Sequence, residues 1–150
     1  MELDSLKRVH VVGIGGIGVS AIAKYLKTKG VTVTGSDAGE SDITRELSVM
    51  GISVTAPVAP PDLPGKADLL IYSEAVPAEN ADREAARSHG VPERSGGEFL
   101  GLLSGSMKTV AIAGTNGKST TTAMVGLILE AAGMDPTIIV GSKVPSLPLG

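Results

Sequence analysis

Val9-His10-Val11-Val12-Gly13-Ile14-Gly15-Gly16-Ile17-Gly18-Val19-Ser20 is the stretch that decides the fold. Residues 7–12 read as a short buried strand. Val19, Ile22, Ala23 and Leu26 then recur at helical spacing, and Gly30 marks the stop. Between the two, Gly13, Gly15 and Gly18 satisfy G-x-G-x-x-G in the strand–turn–helix setting that gives the pattern meaning. Such a turn suits an anion. Unpaired N–H groups at a helix N-terminus point at the ligand, and the missing Cβ atoms let a phosphate approach the main chain. The next strand, Val31 to Gly35, delivers Ser36-Asp37 at its C-terminal end, where a carboxylate can accept from a ribose hydroxyl or a base N–H. On these residues the turn is compatible with NAD, FAD or a UDP-sugar.

Outward from this unit the alternation continues. Ser41 caps a helix through Met50 that stops at Gly51, and Ile52 to Thr55 forms a strand. Pro57, Pro60, Pro61 and Pro64 predict a surface connection. Leu69 to Tyr72 makes the next strand, running into Ser73-Glu74-Ala75-Val76-Pro77. Asn80 caps a helix carrying Ala81, Ala85 and Ala86, which Gly90 stops. A strand at Val91 to Glu93 and a helix at about Glu98 to Leu103 follow. Strands alternating with helices predict an α/β fold, a Rossmann-like doubly wound parallel sheet. With 42% apolar residues but only 2% aromatic ones, its core is built from Val, Ile, Leu and Ala.

A second glycine turn, Gly114-Thr115-Asn116-Gly117-Lys118-Ser119-Thr120, carries different chemistry. Thr109 to Ala113 predicts a strand before it. Met124, Leu127, Ile128 and Ala131 mark a helix face after it, Gly133 ends that helix, and Pro136 to Val140 predicts a further strand. Ile112 stands where the longer G-x-x-x-x-G-K-[ST] pattern has its first glycine, so this is the shorter G-T-x-G-K-S form. Backbone N–H groups from Thr115 to Ser119 would wrap phosphates, Lys118 would contact the β- and γ-phosphates, and Ser119 would ligate Mg²⁺. ATP is the expected ligand. Ser104-Gly105-Ser106 reads as a linker, dividing the chain into a domain at 1–105 and the opening strand–helix–strand unit of a second at 106–150. That unit is too small to bury a core alone, so the chain is expected to be the front portion of a longer protein.

Other classes fit poorly. A net charge of −3 and the lack of a Lys/Arg cluster argue against a nucleic-acid partner. There is no cysteine, only His10 and His89 as histidines, and no apolar run of about 18 residues that could span a membrane. A cytoplasmic protein is expected. His10 reads as a core histidine, His89 as a helix C-terminal or solvent-facing one, and Met107, Met124 and Met134 as core filler. Glu79 and Asp82 read as a solvated helix start.

The stretch at 9–20, Gly35-Ser36-Asp37, Tyr72 to Pro77, and Ala113 to Thr122 together resemble the Mur ligases in order and spacing, along essentially the whole chain. The resemblance implies an N-terminal Rossmann-like domain that binds the UDP portion of the substrate rather than NAD, and a central domain that binds ATP. Gly15, Gly16, Ile17 and Gly18, with Gly13, would hold the diphosphate; Asp37 would sit near the uridine, and Ser73 would line the same pocket. Gly114 to Thr120 would serve ATP and Mg²⁺. The implied chemistry is phosphorylation of a carboxylate by ATP, then attack of an amino group on the acyl phosphate. For the branch most similar to this chain, the substrates are UDP-N-acetylmuramate and L-alanine, in peptidoglycan synthesis. Lys118 would stabilise the charge that develops.

Asn116 departs from the histidine usual in that branch and resembles the glutamate-adding ligase and folylpolyglutamate synthetases. Glu74 replaces a small hydroxyl residue, and Ala56-Pro57 stands where Gly-His is common. A glutamate-adding or murein-peptide recycling ligase, a NAD-dependent oxidoreductase domain and a non-catalytic UDP-sugar module are the alternatives. The amino-acid site and the remaining ATP contacts are expected beyond Gly150, so the chain alone is expected to be inactive.

Overall fold

The computed structural model describes residues 3–56 and 66–142; the proline-rich connection expected from Pro57 to Pro64 lies outside them. Five strands form one sheet: β1 Arg8–Val12, β2 Thr32–Ser36, β3 Ser53–Thr55, β4 Leu69–Tyr72 and β5 Glu93–Ser95, in the order β3-β2-β1-β4-β5. Every pairing is parallel. In register, Val9 lies between Val33 and Leu69, and Val12 between Ser36 and Tyr72. The strand order reverses at β1, and in such sheets ligands bind outside the carboxyl ends of the strands at that point.

Among the described residues five α-helices accompany the strands: α1 Ile17–Thr28, α2 Asp42–Val49, α3 Ala81–Ser88, α4 Gly96–Ser106 and α5 Lys118–Ala131. Side chains alternate across a strand, so β1 feeds both faces of the sheet. Val9 and Val11 join Ile22, Ala23, Leu26, Leu47, Phe99 and Leu103, which places α1, α2 and α4 on one face. Val12 joins Leu70, Ala86 and Val91 in a smaller cluster under α3. The α/β doubly wound architecture expected from the sequence is present, with an aliphatic core and a single buried Phe99.

Several local expectations change. The last strand lies at Glu93–Ser95 rather than 91–93. Val91 is instead buried, and its N–H closes the end of α3 on Ala86 O at 2.9 Å. Ser104-Gly105-Ser106 is not a linker but the last turn of α4: Leu103 is buried there, and the Ser104 and Ser106 hydroxyls donate back to Gly101 O and Leu103 O. Around the second turn only the helix is regular. Among the described residues no strand pairs with 109–113 or 136–140, and a strand without a hydrogen-bonded neighbour has no ladder to hold it. Met107, Met124 and Met134 are 41%, 58% and 66% exposed, so they fill no core.

Candidate functional site: two glycine turns with open helix starts

The first four N–H groups of a helix have no intrahelical acceptor and sit at the positive end of its dipole. In α2, α3 and α4 a side chain takes up that demand. Ser41 accepts the Thr44 N–H at 3.2 Å, Asn80 accepts from Asp82 and Arg83, and Ser95 accepts the Glu98 N–H at 3.2 Å. The other two, α1 and α5, have no side-chain cap and no acidic residue in the first turn. Both begin at a glycine, Gly16 and Gly117. Each helix that follows a glycine turn is therefore left open to an external anion.

The first turn is tightly held from below. Ser36 at the end of β2 accepts with its carbonyl from both Gly13 N–H (2.8 Å) and Ile14 N–H (3.0 Å). Gly16 N–H closes onto Gly13 O at 2.9 Å. Gly13 has φ +72°, and a Cβ there would lie 2.9 Å from Val76 and 3.1 Å from Ser73, so both backbone and space demand glycine. Gly18 differs. A Cβ there would meet nothing within 4 Å, which leaves the outer side of the turn free for a ligand. Ile17 beside it is 43% exposed. Asp37 reaches into the turn and accepts the Gly15 N–H with Oδ2 at 2.8 Å. Ser73 N–H donates to Val12 O, and its side chain lines the wall against Gly13 and Gly16.

In the second turn, Gly117 has φ +76°, and the first helical hydrogen bond runs from Thr121 N–H to Gly117 O at 2.9 Å. Lys118 Nζ lies over the turn, donating to Gly114 O at 2.7 Å and Thr115 O at 3.3 Å. Gly114 through Lys118 and Thr120 are exposed, and Ser119 is half-buried. Among the described residues no group of three His, Cys, Asp or Glu is placed to hold a metal, so Ser119 could supply at most a single ligand to a cation carried by phosphates.

Three features escaped the sequence reading. Glu74 is tied to a neighbouring helix: its carboxylate accepts the Gly97 N–H at 3.0 Å in the first turn of α4, and this hydrogen bond holds its pKa below the ordinary glutamate range. Arg83 is buried with its guanidinium 3.6 Å from the centre of the Tyr72 ring. It pairs with Glu93 at 3.3 Å and donates to Val76 O at 3.0 Å, clamping the 73–80 loop. Asp82 is not part of a solvated helix start but is 1% exposed, hydrogen-bonded by the Ser36 hydroxyl. The signal for the last two was helical phase. Asp82, Arg83 and Ala86 fall on the face of α3 that meets the sheet, and an acid after an Asn cap is easily read as solvent-facing. His10 matches its expectation: it is fully buried, Nδ1 2.8 Å from Thr34 Oγ1. His89 is exposed at the C-terminus of α3, with Nδ1 2.8 Å from Ala85 O.

The structure thus sets a glycine turn at the switch point of a parallel α/β sheet and, after it, a Gly-Lys-Ser turn that opens a separate helix. Residues 8–107 match the family described as Mur ligase family, catalytic domain, and the chain belongs to that family. A UDP-N-acetylmuramate–L-alanine ligase of Arthrobacter sp. (strain FB24) is 41% identical over 97% of this chain and 31% of its own length. The crystal structure of a UDP-N-acetylmuramate–alanine ligase from Thermotoga maritima superposes with a TM-score of 0.88 at 35% identity, covering 97% of this chain and 34% of that one. A murein peptide ligase from Psychrobacter arcticus superposes with a TM-score of 0.75 at 31% identity, over 85% and 27% of the two chains. The chain thus spans about a third of the length of the curated relatives it matches. Among the described residues no helix is long and apolar enough to cross a membrane.

Proposed function

We propose that this chain supplies the UDP-sugar-binding domain and the ATP phosphate turn of a ligase joining L-alanine to UDP-N-acetylmuramate, a cytoplasmic step of peptidoglycan synthesis. The observation that carries the reading is the pair of uncapped helix starts, α1 after Gly16 and α5 after Gly117, with a lysine on the second alone. A division just after α4, which ends at Ser106, would give each ligand its own unit.

In this reading the amides of Ile17 and Gly18 receive the diphosphate beside Gly16, whose own N–H stays on Gly13 O, with Gly13 and Gly15 keeping the turn narrow. Asp37, anchored by one oxygen on Gly15, presents its other toward the nucleoside, and Ser73 walls the same pocket. Gly114, Thr115, Asn116, Gly117 and Thr120 shape the ATP turn. Lys118 leaves the Gly114 and Thr115 carbonyls for the β- and γ-phosphates, since a flexible ammonium exchanges neutral acceptors for charged ones readily. Ser119 would give Mg²⁺ one oxygen, the rest coming from phosphates and water; the cation would supply charge neutralisation on the transferring phosphoryl group. L-alanine would be met by residues outside this chain.

Calorimetric titration with UDP-N-acetylmuramate and, separately, NADH tests the first turn. Saturable binding of the UDP-sugar with no response to NADH is expected; the reverse result would remove the ligase reading.

A further inference from the structure

The turn at Gly13 is held by a residue that is itself held from the opposite face of the sheet. Ser36 is 1% exposed. Its carbonyl accepts the Gly13 and Ile14 N–H groups, and its hydroxyl donates to Asp82 Oδ2. Asp82 stands at the start of α3, a helix of the β4–β5 crossover, remote in sequence from both β2 and the turn. His10 completes the cluster, fully buried on β1, with Nδ1 on Thr34 Oγ1 and Nε2 3.7 Å from Asp82 Oδ2. Residues of β1, β2 and α3 thus converge on one buried carboxylate directly beneath the carbonyl that sets the turn.

A carboxylate removed from water carries a desolvation cost that its partners only partly offset, so such groups add little net stability. What they can do is select one geometry, because every alternative leaves buried polar atoms without their partners. Here the selected geometry is that of Ser36. A peptide carbonyl accepting two successive amides fixes the plane of the turn, and with it the direction of the N–H groups that follow at the start of α1.

We propose that Asp82 is a positioning residue for the phosphate-binding turn, acting through the Ser36 hydroxyl on the Gly13 and Ile14 amides. The assignment of a ligand rests on the UDP-sugar reading above; the coupling from Asp82 to the turn does not. Ser36→Ala removes the hydroxyl and keeps the carbonyl, Asp82→Asn keeps the shape and turns one carboxyl oxygen into an amide NH₂, and Ser36→Thr restores a hydroxyl. Two readouts separate the claims: amide ¹H–¹⁵N shifts and hydrogen exchange at Gly13 and Ile14 without ligand, and calorimetric affinity for UDP-N-acetylmuramate well below each variant's melting temperature.

Ser36→Ala and Asp82→Asn are expected to move the Gly13 and Ile14 resonances, speed their exchange, and weaken UDP-N-acetylmuramate about tenfold, the scale of one charge-assisted hydrogen bond. Ser36→Thr is expected to stay near wild type on every readout. Wild-type shifts and exchange at both amides in folded Ser36→Ala would overturn the proposal, even were Asp82→Asn to fail to fold. Altered amides with unchanged UDP-sugar affinity would overturn its functional half. Should the wild-type chain not bind UDP-N-acetylmuramate at all, the ligand reading falls, and the amide readouts still decide whether Asp82 sets the turn.

Discussion

Glu74 Oε1 accepts the Gly97 backbone N–H at 3.0 Å, tying the loop after β4 to the first turn of α4. The carboxylate that stands in place of a small hydroxyl residue bonds a neighbouring helix start, where the dipole favours negative charge. Asp68 acts similarly at the other end of the sheet: its Oδ2 accepts the Lys7 and Arg8 N–H groups at 2.9 and 2.8 Å, fixing the entry to β1.

Both carboxyls titrate below their ordinary values, each chiefly because backbone N–H groups bond the charged form. A depressed folded value means that protonation favours the unfolded chain. The stabilisation is complete above the ordinary carboxylate range and is lost as pH falls through the lower folded values. Thermal melts from pH 7 downward should show a fall in Tm below about pH 5 that is shallower in Glu74→Gln. An identical acid limb in that variant would mean that Glu74 is not ionised against Gly97.

Lys118→Ala should abolish Mg-ATP binding while leaving UDP-N-acetylmuramate affinity unchanged, because among the described residues Lys118 donates to carbonyls of its own turn. Arginine should not substitute fully, its planar fork being a poor replacement for a compact ammonium in a narrow turn. Calorimetry on the two ligands with the full-length protein checks both points. Equal ATP affinity in Lys118→Ala would disprove the assignment of the second turn.

How much of this was legible in the sequence follows from the range of the forces involved. The glycine turns, the Ser41 and Asn80 caps and the stops at Gly30, Gly51 and Gly90 are local, and they fall where the residues put them. Long-range pairings were not legible. Nothing near Asp82 announces that Ser36 lies above it, and nothing near Glu74 announces the α4 start. The strand signal at 109–113 is equally local; a ladder, however, needs a neighbour, and an apolar run supplies only half of one. Of the candidate site, the two glycine turns and the helices they open were readable, and their supports were not.

Gly35 illustrates the same limit and gives a sharper test. Read as the last residue of the strand from Val31, it sits where a Cβ would lie 2.5 Å from Ile14 Cδ1 and 2.6 Å from Val11 O. The obstruction includes backbone, so it cannot be relieved by a rotamer change alone. Gly35→Ala should cost roughly 1–3 kcal/mol by overpacking, and the shift of Ile14 should also weaken UDP-sugar binding. Denaturant unfolding measures the first; a stability equal to wild type would contradict the close packing of β2 on the turn.

Gly126 in α5 poses the opposite balance. In a free helix, alanine is favoured over glycine by about 1 kcal/mol. Yet a Cβ at this position would approach Ile138 Cδ1 at 2.5 Å and Cγ1 at 2.9 Å, because the segment after the helix folds back onto it there. The far end of a flexible side chain can give way only by abandoning its packing. Gly126→Ala alone should therefore increase hydrogen exchange at residues 137–140, whereas in an Ile138→Ala background it should slow exchange along α5. Opposite signs in the two backgrounds are the signature of direct contact. A uniform gain from Gly126→Ala in both would show that helix propensity alone governs α5 and that the returning segment does not bear on it.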